Sequence, residues 1–141
     1  MKEMSKTISS FSDEYEFLSL DYPCNIDYEG ITFKNAAILL YALKSNDKGS
    51  MRKYARLSSN KARQKAAKQM NDEYDYNFRK YVYKVCKLKF MQNEDLANKL
   101  KATDSDTLIN TLTYNDTKLG IYMGKGENIL GKVLMKIRED I

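Results

Sequence analysis

Histidine is absent from this chain, which removes the commonest catalytic base and metal ligand at once. Ser–His and Cys–His nucleophile pairs and His-ligated zinc are excluded, so acid–base chemistry falls to Asp, Glu, Lys or Tyr. No metal site and no cofactor is expected. Cys24 and Cys86 are the only cysteines and share no metal-like spacing; two buried thiols in a reducing compartment are expected rather than a disulfide. The single proline, Pro23, leaves the remainder free to be helical. No apolar run approaches the ~20 residues that a membrane helix requires. The longest, Ala36–Leu43, is too short to span, and "MKEMSKTISS" carries no apolar core of a secretory signal. A cytoplasmic protein with no membrane partner is the expectation.

What is present suits an ordinary globular chain: 141 residues, 43% hydrophobic and 30% charged, enough for one domain spanning 1–141 to bury a core unaided. The formal charge of +5 is compatible with an anionic partner such as a nucleic acid or a phosphorylated small molecule.

"CNIDYEGITF" alternates Ile26, Tyr28, Ile31 and Phe33 around Glu29-Gly30 and predicts a β-hairpin, with Gly30 at positive φ. "TIS" near the start predicts a further strand. Asn35 is a candidate N-cap for a helix with Ala36, Leu39, Leu40 and Leu43 on one face, which "SNDKGS" ends. A short helix is predicted over Met51–Leu57, then another capped by Ser59 or Asn60 and running toward Met70. The latter carries Lys61, Arg63, Lys65 and Lys68, read as a phosphate-facing strip or as a solvated face. A longer helix is predicted over Tyr76–Phe90, whose neighbouring tyrosines stack on a base or pack. "NEDLANKLKA" is expected to be helical with Asn93 as cap, and "DSDTLINTL" helical with Ser105 as cap. After the irregular "TYNDTKLGIYMGKGEN", a last helix places Ile129, Leu130, Val133, Leu134 and Ile137 on a core face. The fold class expected is α+β, mostly helical, with a small hairpin at its start.

The stretch Gly124-Lys125-Gly126-Glu127-Asn128 is the strongest local signal for a ligand. Its glycines permit close backbone approach, N–H groups at a helix start favour anions, and Lys125 adds a mobile charge. The P-loop spacing is absent, and a plain loop with a helix cap explains the same residues. Asp116 is either a turn residue bonding its own backbone or a carboxylate that needs a partner.

Taken in order, these segments resemble the NADAR (YbiA-like) family from about Phe11 to Ile141. The similarity is carried by Phe17-Leu18-Ser19-Leu20-Asp21-Tyr22-Pro23, by Tyr28-Glu29-Gly30 with Phe33, by Asn35–Lys44, and by Lys89-Phe90-Met91-Gln92. Leu96, Leu100, Ala102 and Thr103 follow. The closing signature is Asn115-Asp116-Thr117-Lys118-Leu119-Gly120, then Gly124-Lys125-Gly126-Glu127-Asn128-Ile129-Leu130-Gly131 and onward to Arg138. The resemblance implies an N-glycosidase that hydrolyses a riboside at its anomeric carbon through an oxocarbenium-like transition state. The implied substrates are ADP-ribose attached to guanine in DNA or RNA, whose removal reverses a toxin or defence modification, or a phosphoribosyl intermediate of riboflavin biosynthesis. The implied partners are therefore an ADP-ribosylated nucleic acid or a ribosyl-nucleotide small molecule. Asp116 and the position of Ala37 are the implied catalytic sites, with Phe17, Ser19, Phe33, Lys44, Gly124, Lys125, Gly126 and Asn128 as substrate-binding residues.

Four positions depart from the family pattern. Ala37 stands where the family has its catalytic Glu, Tyr41 where it has Gln, Leu20 where it has Asn, and Leu119 where it has Trp. The chain as it stands is therefore expected to be crippled or inactive, since losing an acid–base residue removes about two to four orders of magnitude in rate. An introduced Glu→Ala change and natural divergence toward a non-catalytic binder of ADP-ribose-like or nucleotide ligands both account for Ala37. The oligomeric state is left open.

Overall fold

A computed structural model describes residues 5–111, 116 and 118–141. The architecture is mostly helical α+β, and the chain divides into two compact units: Leu20–Asn93, and Met1–Ser19 together with Glu94–Ile141.

The first strand of the chain, β1 (Thr7–Ile8), belongs to the other unit; the unit Leu20–Asn93 begins with the hairpin of β2 (Ile26–Tyr28) and β3 (Ile31–Phe33). The strands are antiparallel, with Ile26 opposite Phe33, and the alternation read from sequence puts Ile26, Ile31 and Phe33 inward. Gln92 closes the outer edge of β2. Its Oε1 accepts from the Asp27 N–H at 2.7 Å and its Nε2 donates to the Asp27 carbonyl at 2.8 Å, so a side chain stands in for a neighbouring strand.

Helix α1 (Ala36–Ala42) starts at Asn35, whose Oδ1 accepts from the Ile38 N–H at 2.9 Å, the expected cap. Helices α2 (Lys48–Ala55) and α3 (Ser59–Ala67) pack against it. The sequence reading began α2 late, because Asp47, lying inside the apparent breaker, accepts from the Ser50 N–H at 2.8 Å and caps it. Ser58 rather than Ser59 or Asn60 caps α3. The predicted helix Tyr76–Phe90 is α5 (Phe78–Gln92), begun two residues later, and a further short helix, α4 (Asp72–Tyr76), precedes it across Asn77. Asn93 terminates α5, its amide donating to the Lys89 and Asn25 carbonyls. Of the tyrosines, Tyr74 is buried and donates to the Leu40 carbonyl at 2.7 Å, while Tyr76 is exposed.

In the other unit, β1 (Thr7–Ile8) pairs in parallel with β4 (Thr107–Leu108). Within the predicted helix over "DSDTLINTL" Thr107–Leu108 is a strand instead, Ser105 caps nothing helical, and Leu112 lies outside the described residues. The cause is non-local: Thr107 donates to the Lys6 carbonyl and Ile109 to the Ile8 carbonyl, each at 2.9 Å, and Leu108 is driven into the core. Helix α6 (Glu94–Ala102) precedes it, burying Leu96 and Leu100. Helix α7 (Ile129–Asp140) buries Ile129, Leu130, Val133, Leu134 and Ile137, the face its periodicity specified, at about 1.5–3 kcal/mol for each fully buried side chain. Arg138 ties its far end to the α6–β4 turn, donating to Thr103 Oγ1 at 2.9 Å and to the Asp106 carbonyl at 2.8 Å.

Among the described residues no helix is long and apolar enough to cross a membrane.

Candidate functional site

Helix α1 carries Ala37 in its first turn, with its side chain buried and its N–H donated to the Leu20 carbonyl at 2.9 Å. Leu20 is itself buried, and so is Phe33, which is 0% exposed and serves the core of its unit. At the other end of α1, the Lys44 ammonium donates to the Ala66 carbonyl at 3.0 Å, and the Asn71 amide donates to the Lys44 carbonyl at 3.0 Å. Lys44 therefore neutralises the exposed carbonyl end of α3 and locks it to α1. The side chain is cationic, as an anion site requires, but it is already employed in the fold.

The glycine-rich segment has a similar character. Tyr122 and Lys125 exchange backbone hydrogen bonds of 2.8 and 3.1 Å, and the two residues between them, Met123 and Gly124, have φ of 52° and 79°. This is a two-residue hairpin with both central residues left-handed, the geometry that selects Gly in the second place. Gly126, at φ 148°, is required for a second reason: a Cβ there would lie 2.1 Å from the Gly120 carbonyl oxygen. Lys125 is exposed on the hairpin.

Asn128 is buried and left-handed at φ 49°. Its Oδ1 accepts from the Asn110 N–H at 2.9 Å and its Nδ2 donates to the Leu108 carbonyl at 3.0 Å. The first N–H groups of α7 are also occupied: Ile129 donates to the Lys118 carbonyl and Leu130 to the Leu119 carbonyl, both at 3.0 Å. The donors that an anion would use at a helix start are turned onto the preceding loop. Asp116 fills the turn-residue reading, its Oδ1 accepting from the N–H groups of Lys118 and Leu119 at 3.0 Å each. Asn115 and Thr117 of the signature lie outside the described residues.

Phe17 sits in a 3-10 turn, Asp13–Leu18, which Ser19 ends. It lines a groove of about 640 Å³ with Lys6, Glu14, Tyr15, Lys99 and Thr103, and the Lys99 ammonium stands 5.8 Å from its ring centroid. Phe17 belongs with Asp116, Gly124, Lys125, Gly126 and Asn128 to one unit, and Phe33, Ala37 and Lys44 belong to the other.

Lys89, which belongs to the Lys89-Phe90-Met91-Gln92 segment of the resemblance, has no site role in the sequence analysis. It is 1% exposed on α5, between the rings of Tyr22 (5.7 Å) and Phe90 (5.2 Å). The signal was present: Lys89 falls at i+4 from Val85 on the face that also buries Val82 and Cys86. Burial pushes its pKa down and pushes the Cys86 thiol up to about 12. Both cysteines are free thiols. Between the lowered pKa of Lys89 and its unfolded value the unfolded chain binds the extra proton, so Lys89 makes stability climb as pH rises. Cys86 acts oppositely above its unfolded value of about 8.5, where the folded state holds the proton longer. Lys89→Met is expected to be at least as stable as the parent at neutral pH and to lose the climb that Lys89 contributes between its lowered pKa and its unfolded value of about 10.4. Urea denaturation midpoints across that range check it; an unchanged slope refutes it. Among the described residues no three His, Cys, Asp or Glu side chains are grouped to hold a metal.

The NADAR domain family matches residues 1–141. A riboflavin biosynthesis protein of Vibrio vulnificus is 29% identical over 135 residues, covering 92% of this chain and 36% of that protein. The chain thus spans about a third of the length of the curated relative it matches. The NMR structure of the E. coli protein YbiA superposes with a TM-score of 0.84 at 28% identity, covering 98% of this chain and 86% of that one.

Proposed function

From the premise that this chain belongs to the NADAR family, we propose that it binds a ribosyl nucleotide, ADP-ribose on guanine in nucleic acid, and holds it without cleaving the N-glycosidic bond. One observation carries this reading. The signature residues that survive do so where their side chains tie backbone: Lys44 on Ala66, Gln92 on Asp27, Asp116 on Lys118 and Leu119, Asn128 on Leu108 and Asn110, Arg138 on Asp106. Three of the four that differ, Leu20, Ala37 and Leu119, are buried hydrocarbon.

Selection for the scaffold would preserve the first set, and selection for hydrolysis would preserve the second. Water needs a carboxylate to orient or deprotonate it as the glycosidic bond stretches. Ala37 offers none, and Asp116 is held as a turn residue. The N-glycosidase activity implied by the resemblance is thus read as reduced to binding, in the cytoplasm where such a nucleic acid is met. The V. vulnificus relative, a riboflavin biosynthesis protein, favours a second ligand, a phosphoribosyl intermediate of riboflavin synthesis; the basic charge favours the nucleic acid.

Calorimetric titration of the chain with an ADP-ribosylated guanine oligonucleotide, free ADP-ribose and a phosphoribosylaminopyrimidine tests the reading, with release of ADP-ribose from the oligonucleotide and of the pyrimidine from its riboside followed in parallel by chromatography. Saturable binding of the first two with no ADP-ribose released from the oligonucleotide is expected. Rapid release of ADP-ribose from the oligonucleotide, or no binding of any of the three, overturns the proposal. Binding of the pyrimidine alone transfers it to the second ligand.

A further inference from the structure

Charge is unevenly shared between the two units. Leu20–Asn93 carries fifteen Lys and Arg against seven Asp and Glu, and the remainder of the chain carries nine against twelve. Within the basic unit the excess is concentrated again: from Lys48 to Asn71 there are eight Lys and Arg and no acid. This stretch is helix α2, the corner after it, and helix α3.

The structure determines where those charges point. Met51 and Tyr54 of α2 and Ala62 and Ala66 of α3 are buried, and both helices pack on α1. Arg52, Lys53, Arg56, Lys61, Arg63 and Lys68 are exposed. Lys65 is only partly so, lying 4.8 Å from the Tyr54 ring centroid. Among the described residues none of Arg52, Lys53, Arg56, Lys61 and Lys68 forms an ion pair. The nearest acid in sequence, Asp47, accepts from Ser50 at the start of α2 and is within electrostatic reach of Lys53 among these cations, and Asp72, Glu73 and Asp75 of α4 bound the stretch on its far side. An uncompensated field of one sign opposes folding by self-repulsion and is relieved by a polyanion.

We propose that the exposed face of α2 and α3 is a docking surface for the phosphate backbone of a nucleic acid. Two features select this occupant over an anionic membrane or an acidic peptide. A helix lying on lipid must present its apolar side to the acyl chains, and here those sides are spent on α1. Each helix is about 12 Å long at 1.5 Å per residue and so matches roughly three to four phosphates of one strand, with the cations distributed along both. The contacts are to phosphate, so the surface positions a strand without reading its bases. It shares with the reading above only the identity of the polyanion. The probe is accordingly unmodified nucleic acid, so that failure here leaves ribosyl binding untouched, and failure there leaves this surface untouched.

The test is fluorescence anisotropy of the whole chain with a labelled mixed-sequence oligonucleotide of about 20 nucleotides, single-stranded and duplex, between about 50 and about 200 mM salt. Binding is expected to weaken steeply with salt, log K falling by about 0.7–0.9 per log unit of salt for every phosphate engaged. The triple variant Arg52→Gln, Arg56→Gln, Lys61→Gln is expected to weaken binding at least ~10-fold and to flatten the slope by roughly two to three. Arg79→Gln, Lys80→Gln, Lys87→Gln on α5 removes the same charge from exposed positions and is expected to change affinity only a few-fold. Circular dichroism and melting of both triples confirm that they fold. Equal losses in the two triples, no binding by the parent at low salt, or binding only to phosphatidylserine vesicles or to a poly-glutamate peptide overturns the proposal.

Discussion

Ala37→Glu is expected to raise release of ADP-ribose from an ADP-ribosylated oligonucleotide about 10²-fold or more over the parent, while Ala37→Gln leaves it at the parent's level. The magnitude is the low end of what a positioned acid–base group contributes, because Leu20, Tyr41 and Leu119 still stand where the family carries polar or aromatic groups. Glutamine matches glutamate in size and hydrogen bonding but cannot take a proton, so the pair separates chemistry from packing. Single-turnover kinetics with enzyme in excess provide the measurement; equal rates for the two variants sink the assignment of Ala37 to the catalytic position.

The same substitution carries a stability cost, since Ala37 is 4% exposed. A carboxyl placed there without a partner costs about 1–3 kcal/mol. Burial would raise its folded pKa, so the folded state would keep its proton above the unfolded value of about 4.3. Stability relative to the parent would then be best at acid pH and would fall as pH rises through that window. A gain in turnover coupled to a pH-dependent loss of stability is what a buried catalytic carboxylate produces, and an exposed one would show only the first.

Gly131→Ala is expected to destabilise the chain by about 3 kcal/mol, lowering the melting temperature by roughly 10 °C. Helix propensity alone predicts the opposite sign, since alanine is favoured over glycine in a helix interior by about 1 kcal/mol. Packing reverses it. A Cβ on Gly131 would lie 2.2 Å from the Leu108 carbonyl oxygen and 2.5 Å from the Asn128 side-chain amide. Neither neighbour is a loose side-chain end: Leu108 is held in β4, and Asn128 is bonded to Leu108 and Asn110. Relief would require α7 to move off β4, exposing part of its buried face. Gly124 gives the contrast, because nothing lies within 4 Å of its would-be Cβ. There only the positive φ matters, so Gly124→Asn is expected to cost well under 1 kcal/mol. Thermal melts of the two variants side by side check both; equal shifts would refute the packing account.

Helix α7, the start of α1 and the hairpin at Ile26–Phe33 were legible in the residues because each rests on a local rule: a 3.6-residue apolar period, an Asn three residues before the N–H it accepts, a two-residue alternation around a Gly turn. The surviving signature likewise identified the family; the reading of Ala37 as the position of a catalytic Glu rests on that resemblance. Its residues did not disclose their work. That Asn128 clamps β4 to α7, that Lys44 closes α3 and that Gln92 completes a strand edge depends on partners far away in sequence. "DSDTLINTL" was misread as helix for the same reason, since the carbonyls that make it a strand belong to Lys6 and Ile8, about a hundred residues earlier. Composition and periodicity thus determined the fold class, the core faces and the absence of histidine chemistry. Tertiary contacts alone decided which conserved-looking polar groups are free for a ligand and which are already committed to the backbone, because a buried N–H or C=O takes whichever partner the fold brings to it.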